Sequence, residues 1–184
     1  MIELNISCPN VRCGGMAFGI RPENVEEVTR AAKGALKRTP LMVKLSPNVE
    51  NIAVNALAAQ SGGADCISLI NTLTGMVVDI ERRRPLIANN TGGVSGAGIR
   101  PIAVRMTYEV CRAVSIPVIG MGGITRAEDA LEFIIAGASA VQVGTANFTD
   151  TLAMPKIIEG LNEWMDAHGV KNIEEIRGTL VLNG

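Results

Sequence analysis

The sequence lacks the features that mark membrane, secreted and nucleic-acid-binding proteins. No apolar stretch approaches the ~18 residues that a membrane span needs, and the opening MIELN has neither the basic start nor the apolar core of a signal peptide. The net charge is −1, and the arginines at 82–84 form one short basic run beside Pro85. These absences predict a cytoplasmic protein that binds no membrane and no nucleic acid.

Cysteine and histidine are too scattered for a metal site or a disulfide scaffold. The four cysteines have irregular spacings and form no C-x-x-C pair; they are Cys8, Cys13, Cys66 and Cys111. We therefore expect reduced thiols and no bound metal. The single histidine, His168, lies in the last turn of a predicted helix, where a cation interacts favourably with the helix dipole. We expect a structural role for it.

The chain has the composition of a single packed domain over residues 1–184, with 47% hydrophobic and 19% charged residues. Five short aliphatic runs are each followed by a loop and a helical pattern. This alternation predicts repeated βα units. The runs lie near Ile2–Ile6, Leu41–Leu45, Cys66–Ile70, Pro117–Ile119 and Ala140–Val143.

The predicted strands are continuously apolar and end in polar or glycine residues, which favours an α/β fold of the (β/α)₈ TIM-barrel type over an open doubly wound sheet. Such a barrel has eight units in ~250 residues. Only five units are apparent here. We therefore expect an incomplete barrel that carries about the last five βα units, with the first three upstream of Met1.

Several helix boundaries are predicted by local signals. Pro22 opens one helix, and the capping-box sequence TRAE at Thr125–Glu128 opens another. The last long helix carries an apolar stripe that includes Trp164 and stops at Gly169. Because such stripes ordinarily face the core, we expect Trp164 to be buried.

Two glycine motifs follow the last two predicted strands. They are GMGGI at Gly120–Ile124 and VGTA at Val143–Ala146. Glycines let backbone N–H groups approach phosphate oxygens, a helix start adds partial positive charge, and Thr145 supplies a hydroxyl. The pair predicts a phosphate site, with simple turn formation as the alternative. It does not distinguish a cofactor from a phosphorylated metabolite.

Lys44 and a long connection add further candidates. Lys44 ends an apolar strand and should face a negative partner, such as a flavin, unless it reaches solvent past the strand. The 26 residues from Leu73 to Gly98 exceed an ordinary βα connection, and loops of that length are usually functional. Within them Gly96 could let backbone approach the same cofactor, or only make a turn.

In chain order these motifs resemble the dihydroorotate dehydrogenase family, and its class 1B catalytic subunits most. The likeness rests on Cys8 between Asn5 and Asn10, on Lys44, and on INT, TGGVSGAGIRP, GMGGI and VGTANF. It runs from Ile2 to about Phe148.

The resemblance implies oxidation of dihydroorotate to orotate in pyrimidine synthesis, with FMN bound at the top of the barrel. It implies that Cys8 is the base that takes the C5 proton, and that Asn5 contacts both flavin and substrate. Asn71 and Thr72 match substrate-binding positions. The matched flavin positions are Lys44, Ile70, Gly96, Gly122, Gly123, Gly144 and Thr145.

Class 1B also implies a partner subunit with FAD and an iron–sulfur cluster that passes electrons to NAD⁺, and a homodimer within that hetero-oligomer. From the residues alone, Cys8 is equally well a plain buried thiol. Two other functions stay open at this point. One is a phosphate-binding barrel enzyme without flavin, and the other is an inactive truncated fragment that only binds a partner.

Overall fold

The structure, a computed structural model, describes residues 1–7 and 15–184, with side chains from residue 18 onward in the second range. The helices of this part are α1 (Gly15–Ile20), α2 (Pro22–Ala35), α3 (Ile52–Ser61), α4 (Arg100–Ala113), α5 (Ala127–Ile135), α6 (Ala146–Thr149) and α7 (Ala153–His168). The strands are β1 (Ile2–Asn5), β2 (Leu41–Lys44), β3 (Cys66–Leu69), β4 (Leu73–Gly75), β5 (Val78–Asp79), β6 (Arg84–Pro85), β7 (Gly92–Val94), β8 (Val118–Met121) and β9 (Ala140–Gln142).

The five predicted strands form one parallel sheet in the order β1-β2-β3-β8-β9. Each of these strands is followed along the chain by at least one helix. Spatial order follows chain order without a reversal, as in a barrel wall, whereas a doubly wound sheet reverses at its switch point. The arrangement confirms the α/β class and is that of a partial TIM barrel.

The helices cover one face of this sheet and form the hydrophobic core with it. Val43 and Ile67 are register partners in β2 and β3, and neither is exposed to solvent. Successive side chains of a strand point to opposite faces. Lys44 and Ser68, the next register pair, therefore share the opposite face, where Ser68 is buried and Lys44 is half-buried. Functional side chains are accordingly those of this second face and of the carboxyl ends.

The long connection predicted between residues 73 and 98 folds into two antiparallel ribbons. Strand β4 pairs with β7, and β5 pairs with β6. The connection then passes through a 3₁₀ turn at Ala97–Ile99 into α4. The connection is therefore an insertion with its own secondary structure rather than an irregular loop.

Two of the predicted helix boundaries are confirmed, but the predicted burial of Trp164 is wrong. Helix α2 begins at Pro22, and α7 ends at Gly169, which has φ +67°. Trp164 is only half-buried, and its ring stacks on the exposed ring of His168 at a centroid distance of 4.1 Å. Helix α7 packs on α5 and buries only Ala153 and Ile157. The rest of its apolar stripe, including Trp164, is therefore only partly buried or exposed.

The predicted capping box of α5 is wrong by one position. The helix begins at Ala127, and Asp129 rather than Glu128 caps it. The Asp129 carboxylate accepts hydrogen bonds from the Thr125 hydroxyl (2.7 Å), the Thr125 N–H (2.8 Å) and the Arg126 N–H (3.2 Å). Asp129 is fully buried, whereas the side chain of Glu128 is 65% exposed.

Within residues 1–7 and 15–184, the structure contains no helix with the length and apolar character needed to cross a membrane.

Candidate active site

A cavity of about 750 Å³ opens at the carboxyl ends of the parallel strands. Its size is within the range of small-molecule and cofactor sites. Most of the residues that sequence analysis predicted for the site line it, although they span a hundred residues of chain. They are Lys44, Ile70, Asn71, Thr72, Gly96, Gly122, Gly123, Gly144 and Thr145.

Asn5 joins these residues through a hydrogen-bond network at the ends of β1 and β3. Asn71 Nδ2 donates to Ser7 Oγ at 2.6 Å and to Asn5 Oδ1 at 3.2 Å. Ser7 Oγ donates to Asn5 Oδ1 at 3.1 Å, and Asn71 Oδ1 accepts from the Thr72 N–H at 2.8 Å. The network fixes both amides. Asn5 Nδ2 has no partner among the described residues and is therefore available to a ligand.

Lys44 lies between Asn5 and Ser68 in the sheet register. Its side chain is half-buried, and no carboxylate pairs with it in the part of the chain that the structure describes. Glu3 also lines the cavity, but it accepts a hydrogen bond from Ser68 Oγ at 2.6 Å. A half-buried ammonium without a counter-charge is suited to bind an anion or an electron-rich ring edge.

Three glycine loops border the cavity, and we number them in chain order. The first glycine loop is residues 95–99, the second is residues 121–126 and the third is residues 143–146. Gly96, Gly122 and Gly123 have φ values of +98°, +126° and +77°, in the region that favours glycine. A Cβ on Gly123 would lie 2.8 Å from the Gly96 carbonyl oxygen, so the first and second loops touch through their backbones.

The third glycine loop has a different character. Apart from its chain neighbours, no described residue has an atom within 4 Å of the position that a Cβ on Gly144 would take, and its φ does not require glycine. Neither a positive φ nor a close neighbour therefore requires glycine at this position. Thr145 Oγ1 donates to Ser95 Oγ at 2.8 Å and thereby joins the third loop to the first.

Behind the second loop, the buried carboxylate of Asp129 is held ionised. Burial alone would raise the pKa of Asp129, but hydrogen bonds from Thr125 and Arg126 and the charge of Arg100 outweigh burial and lower it. The carboxylate takes two N–H groups at the start of α5. The partial positive charge expected there is therefore partly used within the protein, because these two N–H groups of the second loop already bond Asp129.

The predicted base, Cys8, lies outside the described residues, as does Cys13. The two described cysteines are unsuited to be bases at neutral pH. Burial, with smaller effects from Asp65 and Glu3, raises the pKa of Cys66. Burial raises the pKa of Cys111 to about 11.

Sequence reasoning missed three polar residues of the site, namely Ser7, Ser95 and Thr125. Ser7 is 3% exposed and bonds both asparagines, while Ser95 and Thr125 line the cavity. Each lies in or next to a motif that is defined by its glycine, asparagine or cysteine residues, so the hydroxyl residue gave no separate signal. Ser7 is two positions after Asn5, and the period of two along an extended chain was an available signal.

We compared the chain with known protein families, with related sequences and with solved structures. The chain matches the family model described as dihydroorotate dehydrogenase over residues 1–165. It is 56% identical over 179 residues to the catalytic subunit of dihydroorotate dehydrogenase B (NAD(+)) from Bacteroides fragilis, which covers 97% of this chain. The subunit of the same name from Alkaliphilus metalliredigens is 56% identical over 180 residues, or 98% of this chain.

The chain spans 59% of the length of each of these relatives. Among solved structures, DHODH from Eimeria tenella in complex with ferulenol superposes with a TM-score of 0.78 at 22% identity, over 96% of this chain and 53% of that one. This structural likeness supports the fold. The match to the family model over residues 1–165 identifies the chain as a member of the dihydroorotate dehydrogenase family.

Proposed function

We propose that this chain is part of the catalytic subunit of an NAD-linked dihydroorotate dehydrogenase, which oxidises dihydroorotate to orotate in pyrimidine synthesis. The observation that carries the proposal is that Lys44, Asn71 and the three glycine loops border the same cavity. The curated relatives described above, which bear that name, support it.

The glycine loops fit the phosphate end of FMN. Gly122 and Gly123 bring backbone to the cavity in conformations that other residues rarely adopt. Gly144 offers open backbone, and the hydroxyls of Thr145 and Ser95 stand beside it. These donors suit a phosphate group, which needs several N–H and O–H partners. The cavity is also large enough for a cofactor of this class.

Lys44 would hold the electron-rich edge of the flavin ring. When bound, FMN supplies the two-electron acceptor for the oxidation. The ammonium group of Lys44 favours negative charge on the ring, since it has no carboxylate partner in the described part of the chain. Ile70, which is 3% exposed, supplies apolar surface between Lys44 and the second loop.

Asn5, Asn71 and Thr72 would orient the substrate. Dihydroorotate carries a carboxylate and a cyclic amide, and primary amides offer donors and an acceptor without a competing charge. The bonds from Asn71 to Ser7 and Asn5 fix the direction of these groups before substrate binds.

Cys8 would be the base that removes the C5 proton. It directly follows Ser7 in the sequence, and Ser7 belongs to the asparagine network. An unperturbed thiol has a pKa of ~8.5, so its thiolate is accessible near neutral pH. The raised pKa values of Cys66 and Cys111 make these two thiols poor substitutes.

The partner would be a second subunit with FAD and an iron–sulfur cluster, which delivers the electrons to NAD⁺, and the catalytic subunit would form a homodimer within this complex. The relatives are named as NAD(+)-dependent enzymes and as catalytic subunits, which supports a partner of this kind. The cytoplasmic location expected from the sequence stays a prediction.

The test uses the complete protein that contains this chain, purified with and without the candidate partner subunit. We expect a yellow protein that releases FMN on denaturation. Anaerobic dihydroorotate should bleach the flavin and yield orotate, and NAD⁺ should be reduced only when the partner is present. A colourless protein that does not take up added FMN would contradict the proposal and favour a phosphate-binding barrel enzyme without flavin.

A further inference from the structure

An ion pair joins the two helices that follow the first and second glycine loops. Arg100 is the first residue of α4, directly after the first loop. Asp129 lies in the first turn of α5, directly after the second loop. Arg100 Nη1 donates to Asp129 Oδ1, and the Asp129 side chain is completely buried. Arg100 Nε also lies 3.3 Å from Glu132 Oε2.

The other oxygen of the same carboxylate holds the second loop. Asp129 Oδ2 accepts from the N–H and the hydroxyl of Thr125 and from the N–H of Arg126. Thr125 lines the cavity, whereas Arg100 and Asp129 do not. One buried carboxylate therefore joins α4 on one side to the rim of the cavity on the other.

Backbone contacts also connect the second glycine loop to the first loop and to Arg100. A Cβ on Gly123 would lie 2.8 Å from the Gly96 oxygen, 2.9 Å from Arg100 Cβ and 3.0 Å from the Arg100 nitrogen. The first and second loops thus pack against each other beside Arg100, and the side chain of Arg100 also bonds Asp129. A shift of Arg100 would move the first loop relative to the second.

We propose that Arg100 and Asp129 are a positioning pair, which holds the first and second glycine loops in the arrangement that binds phosphate. The proposal rests on the proposed function, because it assumes that these loops bind the FMN phosphate. Removal of the guanidinium takes away the closer of the two arginine charges beside the buried carboxylate and leaves the exposed Arg126, whose Nε lies 3.5 Å from Asp129 Oδ1. A buried charge that loses its close partner is costly. The carboxylate then turns or draws in water, and the N–H groups of the two loops lose their common alignment. The affinity for phosphate falls, while the surface that contacts the flavin ring stays as it was.

Two flavins separate this role from a general loss of folding. FMN and riboflavin share the isoalloxazine ring, but riboflavin has no phosphate. The ratio of their dissociation constants therefore measures what the phosphate contributes to binding. Each would be titrated into the flavin-free complete protein, and Kd would be read from quenching of flavin fluorescence.

Arg100→Gln is the principal variant, because it keeps a long polar side chain but removes the charge. Arg100→Lys keeps the charge without the planar fork. The matched control is Arg105→Gln on the same helix, where the arginine is 55% exposed and pairs with Glu109. Asp129→Asn is a secondary variant, since a change at a fully buried site can impair folding.

We expect Arg100→Gln to weaken FMN binding by about tenfold, the size of one hydrogen bond between a misaligned loop N–H and the charged phosphate, and to leave riboflavin binding within about twofold. Arg100→Lys should fall between it and the parent, and Arg105→Gln should match the parent. Equal weakening of both flavins, or no change in either, in Arg100→Gln would overturn the proposal. A parent protein that binds FMN no better than riboflavin would instead overturn the phosphate site itself, and with it the proposed function.

Discussion

The ammonium group of Lys44 stands at the end of β2 without a carboxylate partner in the described part of the chain. If it faces the flavin, Lys44→Ala removes a charge that stabilises the reduced ring. The two-electron reduction potential should fall by about 30–60 mV, which corresponds to ~1.5–3 kcal/mol of charge-assisted hydrogen bonding. A dye-linked reductive titration of the complete protein measures it. The exposed Lys37 provides the control variant Lys37→Ala, which should keep the parent potential. An unchanged potential in Lys44→Ala would remove Lys44 from the site.

Cys8 carries the prediction for the proton transfer. In the complete protein Cys8→Ala should bind FMN and orotate almost as the parent does, but flavin reduction by dihydroorotate should slow by roughly 10²–10⁴, the usual contribution of a positioned base. Cys8→Ser should keep part of the activity with its pH profile moved to higher pH, because a hydroxyl is a weaker acid than a thiol. Stopped-flow bleaching across pH measures both, with Cys13→Ala as the parent-like control. Parent-like rates for Cys8→Ala would place the base elsewhere.

Substitution of Gly123 should mainly lower stability, whereas substitution of Gly144 should mainly weaken FMN binding. Gly123→Ala places a Cβ 2.8 Å from the Gly96 oxygen at a residue with φ +77°. It should lower the free energy of unfolding by roughly 1–3 kcal/mol. Gly144→Ala has open space and should change that free energy by less than about 0.5 kcal/mol, yet weaken FMN binding because the new methyl group stands where phosphate approaches. Urea unfolding and FMN titration measure the two effects. Parent-like FMN affinity in Gly144→Ala would exclude the third loop from the phosphate site.

At the scale of the elements, Asp65 joins α2, β2 and the start of β3. Its carboxylate accepts from Lys33 Nζ at 2.5 Å and from the Leu41 N–H at 2.6 Å. The hydrogen bond from Lys33, followed by that from Leu41, lowers the pKa of Asp65 below its usual value. A carboxyl whose pKa is lower in the folded state stabilises the fold above its unfolded pKa of ~3.9. That contribution is lost as the pH falls through the folded pKa.

Asp65→Asn should therefore lower the free energy of unfolding at pH 7 by about 0.5–1 kcal/mol, a small value because the side chain is 41% exposed and solvent screens the pair. The difference from the parent should shrink towards zero as the pH falls through the lowered folded pKa of Asp65. Urea unfolding at pH 7 and in acid measures it. Glu26→Gln, which removes the exposed pair with Arg30, is the control and should change stability less. A difference that persists unchanged in acid would mean that the carboxylate charge is not its cause.

At the scale of the whole molecule, the two outer strands of the sheet, β1 and β9, each have one unpaired edge among the described residues. Within the described residues, β1 pairs only with β2, and β9 pairs only with β8. Ile2 is 46% exposed, and Phe148 and Leu152, just after β9, are 92% and 58% exposed. Unpaired edge strands and exposed apolar groups favour association between chains. A barrel with three further βα units would pair both edges.

These 184 residues alone are therefore expected to form irregular aggregates and to bind FMN weakly, whereas the complete protein should bind FMN tightly and form no assembly larger than the proposed homodimer. Light scattering during size-exclusion chromatography and an FMN titration compare the two. If the 184 residues were monomeric and bound FMN as tightly as the complete protein, closure of the barrel would not be needed for the site.

The strands were predictable because each is a short apolar run followed by turn residues, a pattern that depends only on neighbours in the chain. The ends of α2 and α7 were predictable for the same reason, since Pro22 and Gly169 act through their own backbone preferences. The start of α5 was not, because Thr125 and Glu128 formed an equally good local signal and only burial selected Asp129. The ribbons of residues 73–94 were missed because their pairing joins strands up to about twenty residues apart.

The sequence by itself determined the parallel βα order, the family and the glycine and lysine candidates, because these follow from local patterns and from motifs in a fixed order. Only the tertiary structure decided which of these residues act together. Ser7 connects Asn5 to Asn71, and the two bonds to Asn71 join residues more than sixty positions apart in the chain. Gly123 touches Gly96 for the same kind of reason: α4 and α5 pack side by side and bring two separate loops together. Such contacts depend on how whole elements pack, and no local pattern contains that information.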